Sequence, residues 1–150
     1  MENRFEIFIE PKSDHDRIVL VGNVDEHAQI NFAYFANQTS HECSVDFSEI
    51  KTVNSVGLSL IIKLLSTLGD RHVTIENCPE PLVKTFIGLP KLEKCTIKSY
   101  EGTYFCPQCD FFLSRMVSVE NGQSIEKKLF CTDCGHQLEL EFKVEDGDFV

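Results

Sequence analysis

The sequence predicts an α/β protein: a mixed sheet with helices, followed by a small all-β segment organised by a metal. Three observations carry this. Strand-period and helix-period apolar patterns alternate over residues 1–100, the pattern of a partly parallel sheet. From Tyr100 onward the patterns shrink to short alternations with no helical stretch. That second part also holds two Cys-x-x-Cys pairs, Cys106–Cys109 and Cys131–Cys134. The expected organisation is a sheet-and-helix domain over 1–100 and a metal-bearing domain over 101–150.

Taken in order, Phe5–Ile9 alternates as a strand that Pro11 stops, and the turn Pro11–Asp16 leads into a second strand, Arg17–Val24. The two are expected to pair as a hairpin. Asp25 is the expected N-cap of a helix reaching to Gln38, with Ala28, Phe32, Phe35 and Ala36 on one face. Cys43–Ser48 is a short strand that buries Val45 and Phe47. Val56–Leu68 carries an apolar stripe at helical spacing (Leu58, Ile61, Ile62, Leu65, Leu68), with Gly69 at the expected C-terminal cap. His72–Cys78 is the next strand. Pro81 fits the first turn of a helix over Leu82–Ile87 that Gly88 ends, and Thr96–Tyr100 is the last strand of the domain.

The 150 residues include 24 acidic and 14 basic ones, a net charge of −10. Phosphate binding needs Lys and Arg, so this balance argues against nucleic acid and against anionic lipid as the main ligand. No apolar run approaches the roughly 20 residues of a membrane helix, and the charged start, MENRFEIFIEPKSD, lacks the apolar core of a secretory signal. Seven cysteines are an odd number, which disfavours a secreted disulfide framework. A cytoplasmic protein is expected. Cys43, Cys78 and Cys95 read as buried small apolar residues. His41 and Cys43 fall near each other by coincidence rather than as a catalytic pair, and no motif of an enzyme is present. The acidic end, EDGDFV, reads as a solvated tail.

The Cys-x-x-Cys pairs are 21 residues apart. Each such turn brings two thiolates to one point, and two turns can complete a tetrahedral site. Between them, MVSVENGQSIEKKLF has the form of a hairpin turning at Asn121-Gly122, and LELEFKV follows as a further strand. This is the pattern of a zinc ribbon: Cys106, Cys109, Cys131 and Cys134 would hold one structural zinc ion, with His136 as a neighbour rather than a ligand. A pair of redox dithiols or unliganded cysteines would not account for two pairs flanking a hairpin. The second part carries ten acidic residues against four basic ones, so protein contact is expected of it before nucleic-acid contact.

One stretch raises a sharper question. In VDFSEIKTVNSVGLSLII, a strand pattern passes into a helix pattern through Asn54-Ser55-Val56-Gly57. In open α/β sheets, ligands and partners meet the turns at the carboxyl ends of strands. A helix N-terminus there favours negative charge, so a phosphoryl group on Ser55 would be well placed. Gly57 would leave the backbone uncrowded for a partner. The plainer reading is that Asn54 or Ser55 caps the helix and Gly57 is merely tolerated in its first turn.

This stretch, with HVTIENCPEPLVKTFIGLPKL after it and VLVGNVDEHA before it, resembles the STAS domain of bacterial anti-sigma-factor antagonists. The points of similarity are the turn Asn54-Ser55-Val56-Gly57-Leu58, the later Gly88-Leu89, and Gly22, Val24 and Asp25 leading into the first helix. The likeness covers nearly all of residues 1–100. It implies a partner-switching module. A kinase-type anti-sigma factor, a histidine-kinase-like ATPase, would bind at Asn54, Ser55, Val56, Gly57 and Leu58, and phosphorylation of Ser55 would break that complex. The family's acidic residue before the serine is Asn54 here. Two other readings stand beside this one: a constitutive scaffold or transport-complex subunit without phosphorylation, and a zinc-ribbon transcription accessory protein. The oligomeric state is open, with a homodimer among the alternatives.

Overall fold

The computed structural model describes residues 4–92 and 94–145. Among them are two mixed sheets and three α-helices. The first sheet begins with β1 (Glu6–Pro11) and β2 (Asp16–Val24), which pair antiparallel as a hairpin. After β2 come β3 (Glu42–Val53), β4 (His72–Glu76) and β6 (Cys95–Ile97), in the order β1-β2-β3-β4-β6. The last three joints are parallel. Parallel neighbours need crossovers, supplied by α1 (Phe32–Gln38), α2 (Ser55–Thr67) and α3 (Glu80–Phe86). Because the strands advance in one direction, right-handed crossovers place all three helices on one face.

That face is apolar by alternation. Ile18 and Leu20, Val45 and Phe47, Val73 and Ile75, and Ile97 are buried there, with Ile61, Leu64, Leu65 and Leu68 from α2 and Val83 and Phe86 from α3. The Phe47 and Phe86 rings lie 6.2 Å apart. A lone helix of 7 residues such as α1 is too short to hold itself. Asn31 caps its start, accepting from Tyr34 N at 3.1 Å, and the Arg71 guanidinium donates to the Ala36 and Thr39 carbonyls at its end.

The opposite face places Arg17, Ser44 and Thr74 in one register row and Asp46 beside Glu76 in the next. Asp46 is only 1% exposed, and a buried carboxylate needs partners. Four groups supply them: the Arg17 guanidinium, the Ser48 backbone N–H at 3.0 Å, the Ser48 hydroxyl at 2.9 Å, and the Asn77 amide at 2.8 Å. Burial pushes the Asp46 carboxyl up, but these donors together outweigh it and hold the carboxyl below its ordinary range.

Asn77 is where the chain leaves the first sheet. It adopts a left-handed conformation (φ 56°), and its own N–H donates to Ser99 Oγ at 2.9 Å. Beyond it, β5 (Cys78–Pro79) pairs in parallel with β7 (Ser99–Phe105), so two neighbouring strands of the first sheet turn together into the second. There β7 is flanked by β8 (Phe112–Glu120) and β10 (Glu139–Leu140), and β8 by β9 (Gln123–Ile125). The turn between β8 and β9 is Asn121 (φ 54°) and Gly122 (φ 76°), the left-handed pair that a two-residue hairpin requires. Tyr100 and Tyr104 are fully buried under the returning chain, their hydroxyls bonded to Phe142 O at 2.7 Å and Lys127 N at 3.0 Å. The Glu80 carboxylate ties α3 to this sheet, accepting from Thr103 N at 3.3 Å.

Several expectations are corrected. The helix expected from Asp25 begins only at Phe32, because the Asp25 carboxylate and carbonyl instead close a local turn on His27 N (2.9 Å) and Ala28 N (3.0 Å). The strands expected over His72–Cys78 and Thr96–Tyr100 each divide between the two sheets. The boundary drawn at residue 100 therefore falls inside β7. Of LELEFKV, only Glu139–Leu140 forms a strand, β10; Leu138, Glu141 and Val144 make single backbone hydrogen bonds to Leu129, Thr103 and Ser124. Gly69 is not a left-handed cap; the turn after α2 closes through its N–H to Ser66 O at 3.0 Å. Of the acidic end, residues 146–150 lie outside the described residues. No described helix is long and apolar enough to cross a membrane.

The Asp46 cluster predicts a specific acid sensitivity. A carboxyl whose folded pKa is depressed contributes stability that is present above its unfolded value, about 3.9, and lost as pH falls through the folded one. Asp46→Asn is expected to cost about 2–3 kcal/mol at neutral pH, since it removes the buried partner of the Arg17 charge and leaves it only the partly exposed Glu10 carboxylate at 3.7 Å. It should also flatten the decline of stability below about pH 4. Urea unfolding at a series of pH values measures both.

Candidate metal centre and docking turn

The four cysteines reach one point from two knuckles. Cys106 follows β7 and Cys109 precedes β8, so the first knuckle closes the β7–β8 connection; Cys106 N donates to Phe111 O at 3.0 Å and Gln108 N to the Cys106 sulfur at 3.4 Å. The second knuckle is set by Cys131 N to His136 O (2.8 Å) and Gly135 N to Cys131 O (3.0 Å). Gly135 turns with φ 79°, which L side chains rarely adopt. The Phe130–Gln137 bridge and the hydrogen bond from Leu138 N to Leu129 O at 2.7 Å fasten this knuckle at its base.

All four sulfurs lie within 4.8 Å of one another, and Cys106 Sγ and Cys134 Sγ are 3.5 Å apart. A disulfide would need about 2.05 Å. Four thiolates at about 2.3 Å from a tetrahedral ion are separated by about 3.8 Å, so the set fits a metal ion. Cys106 and Cys131 are buried, Cys109 is half-buried and Cys134 exposed, so the site is anchored on its inner side and open on the outer. His136 stands at its rim, Nδ1 3.6 Å from the Cys134 sulfur, and is no part of the four-sulfur group. Without metal the thiols titrate unequally. Burial opposes charge on Cys131, but the Cys134 and Asp133 N–H groups aimed at its sulfur outweigh this and lower its pKa. Cys109 is pushed up to about 12, chiefly by its contact with Cys134. Metal binding must therefore displace protons.

The remaining cysteines stand apart. Cys43, Cys78 and Cys95 are buried in the first core, and burial raises their thiols, to about 11 for Cys43 and about 12 for Cys95. They are apolar filler in the neutral form.

At the end of β3, Asn54 is the N-cap of α2: its Oδ1 accepts from Gly57 N at 2.8 Å. Its Nδ2 donates to Glu26 Oε1 at 2.8 Å, and its N–H to Val24 O at 3.2 Å. Ser55 follows at the first helical position, exposed, and its hydroxyl has no hydrogen-bond partner among the described residues. Val56 is 47% exposed and Leu58 half-buried. Gly57 is buried and faces inward, where a Cβ would lie 1.8 Å from the Val24 carbonyl oxygen. The room it makes is used by the helix against β2.

Glu26 was not legible in the sequence as part of this turn. Hydrogen bonds from its own backbone N–H and from the Asn54 amide lower its pKa, so a carboxylate is held against residue 54 although residue 54 itself is neutral. The only sequence signal was its place just after β2, on the same sheet end as the turn. Neither the known protein-family models nor the curated proteins gave a match to this chain.

Two substitutions separate packing from display at the turn. Gly57→Ala is expected to destabilise by about 3 kcal/mol, because α2 must shift off Val24. Ser55→Ala is expected to stay within about 0.5 kcal/mol. Thermal and urea unfolding of the two variants gives the comparison.

Proposed function

We propose that the chain is a STAS-like regulatory module with a structural zinc ribbon, acting by binding a signalling protein at the Ser55 turn in a manner sensitive to phosphorylation. The observation that carries this reading is the division of labour at the start of α2. Asn54 takes the capping role, so the exposed Ser55 hydroxyl is left over at a helix N-terminus, where a phosphoryl group is electrostatically accommodated. The phosphoryl group would add about −1.5 to −2 charges on the residue after the one that binds the Glu26 carboxylate, and change what the surface can dock. By the family likeness, the partner is a histidine-kinase-like ATPase of the anti-sigma-factor class, in the cytoplasm of a bacterium, and the module itself performs no catalysis.

Zinc is the metal we assign to the Cys106, Cys109, Cys131 and Cys134 set. Four thiolates in two Cys-x-x-Cys knuckles suit a tetrahedral, redox-inert ion, and no position is left for water or substrate. When bound, the ion supplies folding free energy to a sheet whose strands β9 and β10 have 3 and 2 residues.

A constitutive scaffold is the second reading. It draws on Asn54 and Gly57, both of which have internal structural roles that need no partner.

Co-purification from the native cells, followed by binding assays on variants, tests the switch. Ser55→Asp is expected to weaken the captured complex by at least about tenfold, the effect of losing about 1.4 kcal/mol, while Ser55→Ala retains it. Equal binding by both would favour the scaffold. For the metal, elemental analysis is expected to find one zinc per chain, and Cys131→Ser to lose it and to raise amide exchange through β8–β10. Stoichiometric zinc retained in Cys131→Ser would refute the ligand set.

A further inference from the structure

The outer edge of β8 pairs with nothing among the described residues over half its length. β7 runs along one side of the strand, and β9 meets the other side only at Ser118–Glu120. Two bonds fix the phase of the ladder: Cys106 N to Phe111 O at 3.0 Å and Val119 N to Lys98 O at 2.8 Å. Alternate residues of an antiparallel strand bond to alternate neighbours, so Leu113, Arg115 and Val117 serve β7. Phe112, Ser114 and Met116 therefore direct their N–H and C=O groups outward. One of these groups has a cover: the Ser114 carbonyl accepts from Arg115 Nη1 at 2.8 Å. On the outward face of the same three residues, Phe112 is 63% and Met116 38% exposed.

Sheet edges of this kind are ordinarily shielded by lysines, prolines, bulges or a covering element. Here the shield is a single exposed arginine. We propose that this edge is a self-association surface, where β8 pairs antiparallel with β8 of a second copy about a two-fold axis at Ser114. An isologous contact requires a surface that matches its own reversal. Phe112-Leu113-Ser114-Arg115-Met116 has that property: with Ser114 on the axis, Phe112 meets Met116 of the second copy on the outward face, twice. All three outward-directed residues then fall in hydrogen-bonded pairs, and aromatic–sulfur contact adds to the apolar burial.

Charge points to the same occupant. The chain carries −10 overall, yet between Asp110 and Glu120 the sole charged residue is Arg115. Two acidic chains can join at this edge without bringing carboxylates together, and Arg115 falls opposite Leu113 of the second copy rather than opposite itself. The contact is at the small end of specific interfaces, below about 1,200 Å² in total, so the association is weak and reversible.

Sedimentation velocity with light scattering on the full, metal-loaded chain from about 1 µM to about 1 mM covers the affinity range of such a contact. A monomer–dimer equilibrium is expected. Ser114→Pro should weaken it by at least about tenfold, since proline removes an outward N–H and leaves the β7 ladder intact. Met116→Lys should do the same by placing a cation on the contact. Metal content and circular dichroism identify variants that have failed to fold, and if Ser114→Pro is one of them, Met116→Lys decides. A wild-type chain that stays monomeric throughout, or a dimer unmoved by a folded variant, overturns the proposal.

Discussion

The Asp46 carboxylate is the point through which the two sheets are joined. It lies on the uncovered face of the first sheet, yet it is almost fully buried, so its charge persists only because Arg17, Ser48 and Asn77 all donate to it. The bond to Asn77 matters most for the architecture. Asn77 must hold a left-handed backbone for the chain to turn out of β4 and into β5, and its side chain is pinned by Asp46 on one side and Ser99 on the other. Ser99 in turn opens β7. One buried charge thus couples the last strand of each sheet's shared pair to the middle of the first sheet. An unpaired charge there would cost several kcal/mol, which is why the cluster acts as a unit.

The second sheet depends on this junction at one end and on the four cysteines at the other. Its inner face offers Tyr100, Tyr104, Val117 and Leu140 as a core, which is small for so many short strands. Both knuckles sit at the end of β7 and β8 remote from Asn77. A metal held there would fasten the sheet where the core has run out.

At the Ser55 turn the same economy of positions recurs. Asn54 and Gly57 are both used by the fold: one caps α2, and the other lets α2 approach the end of β2. What remains on the surface is Ser55 and Val56, with the Glu26 carboxylate held against the cap. The displayed part of the turn is narrower than its sequence pattern implied, and it carries a negative charge that the pattern lacked.

The elements that were legible in the sequence are those set by local chemistry. The β1–β2 hairpin, α2, the Asn121-Gly122 turn and the two cysteine knuckles follow from apolar periodicity, left-handed turn residues and ligand spacing, all of which act over a few residues. The elements that were not legible depend on contacts distant in the chain. The start of α1 was misplaced because Asp25 satisfied its own turn and left Asn31 to cap. The division of His72–Pro79 and Cys95–Phe105 between two sheets has no local signal, since both halves of each stretch alternate alike. Gly57 looked like surface until Val24 was brought against it, and Glu26 joined the turn only through Asn54, 28 residues away in sequence. The sequence by itself determined the α/β class and the four-cysteine set, because periodicity and short spacing are written residue by residue. Only the tertiary structure decided where the sheets divide and which residues of the turn face outward, because those depend on which long-range partners satisfy each buried polar group.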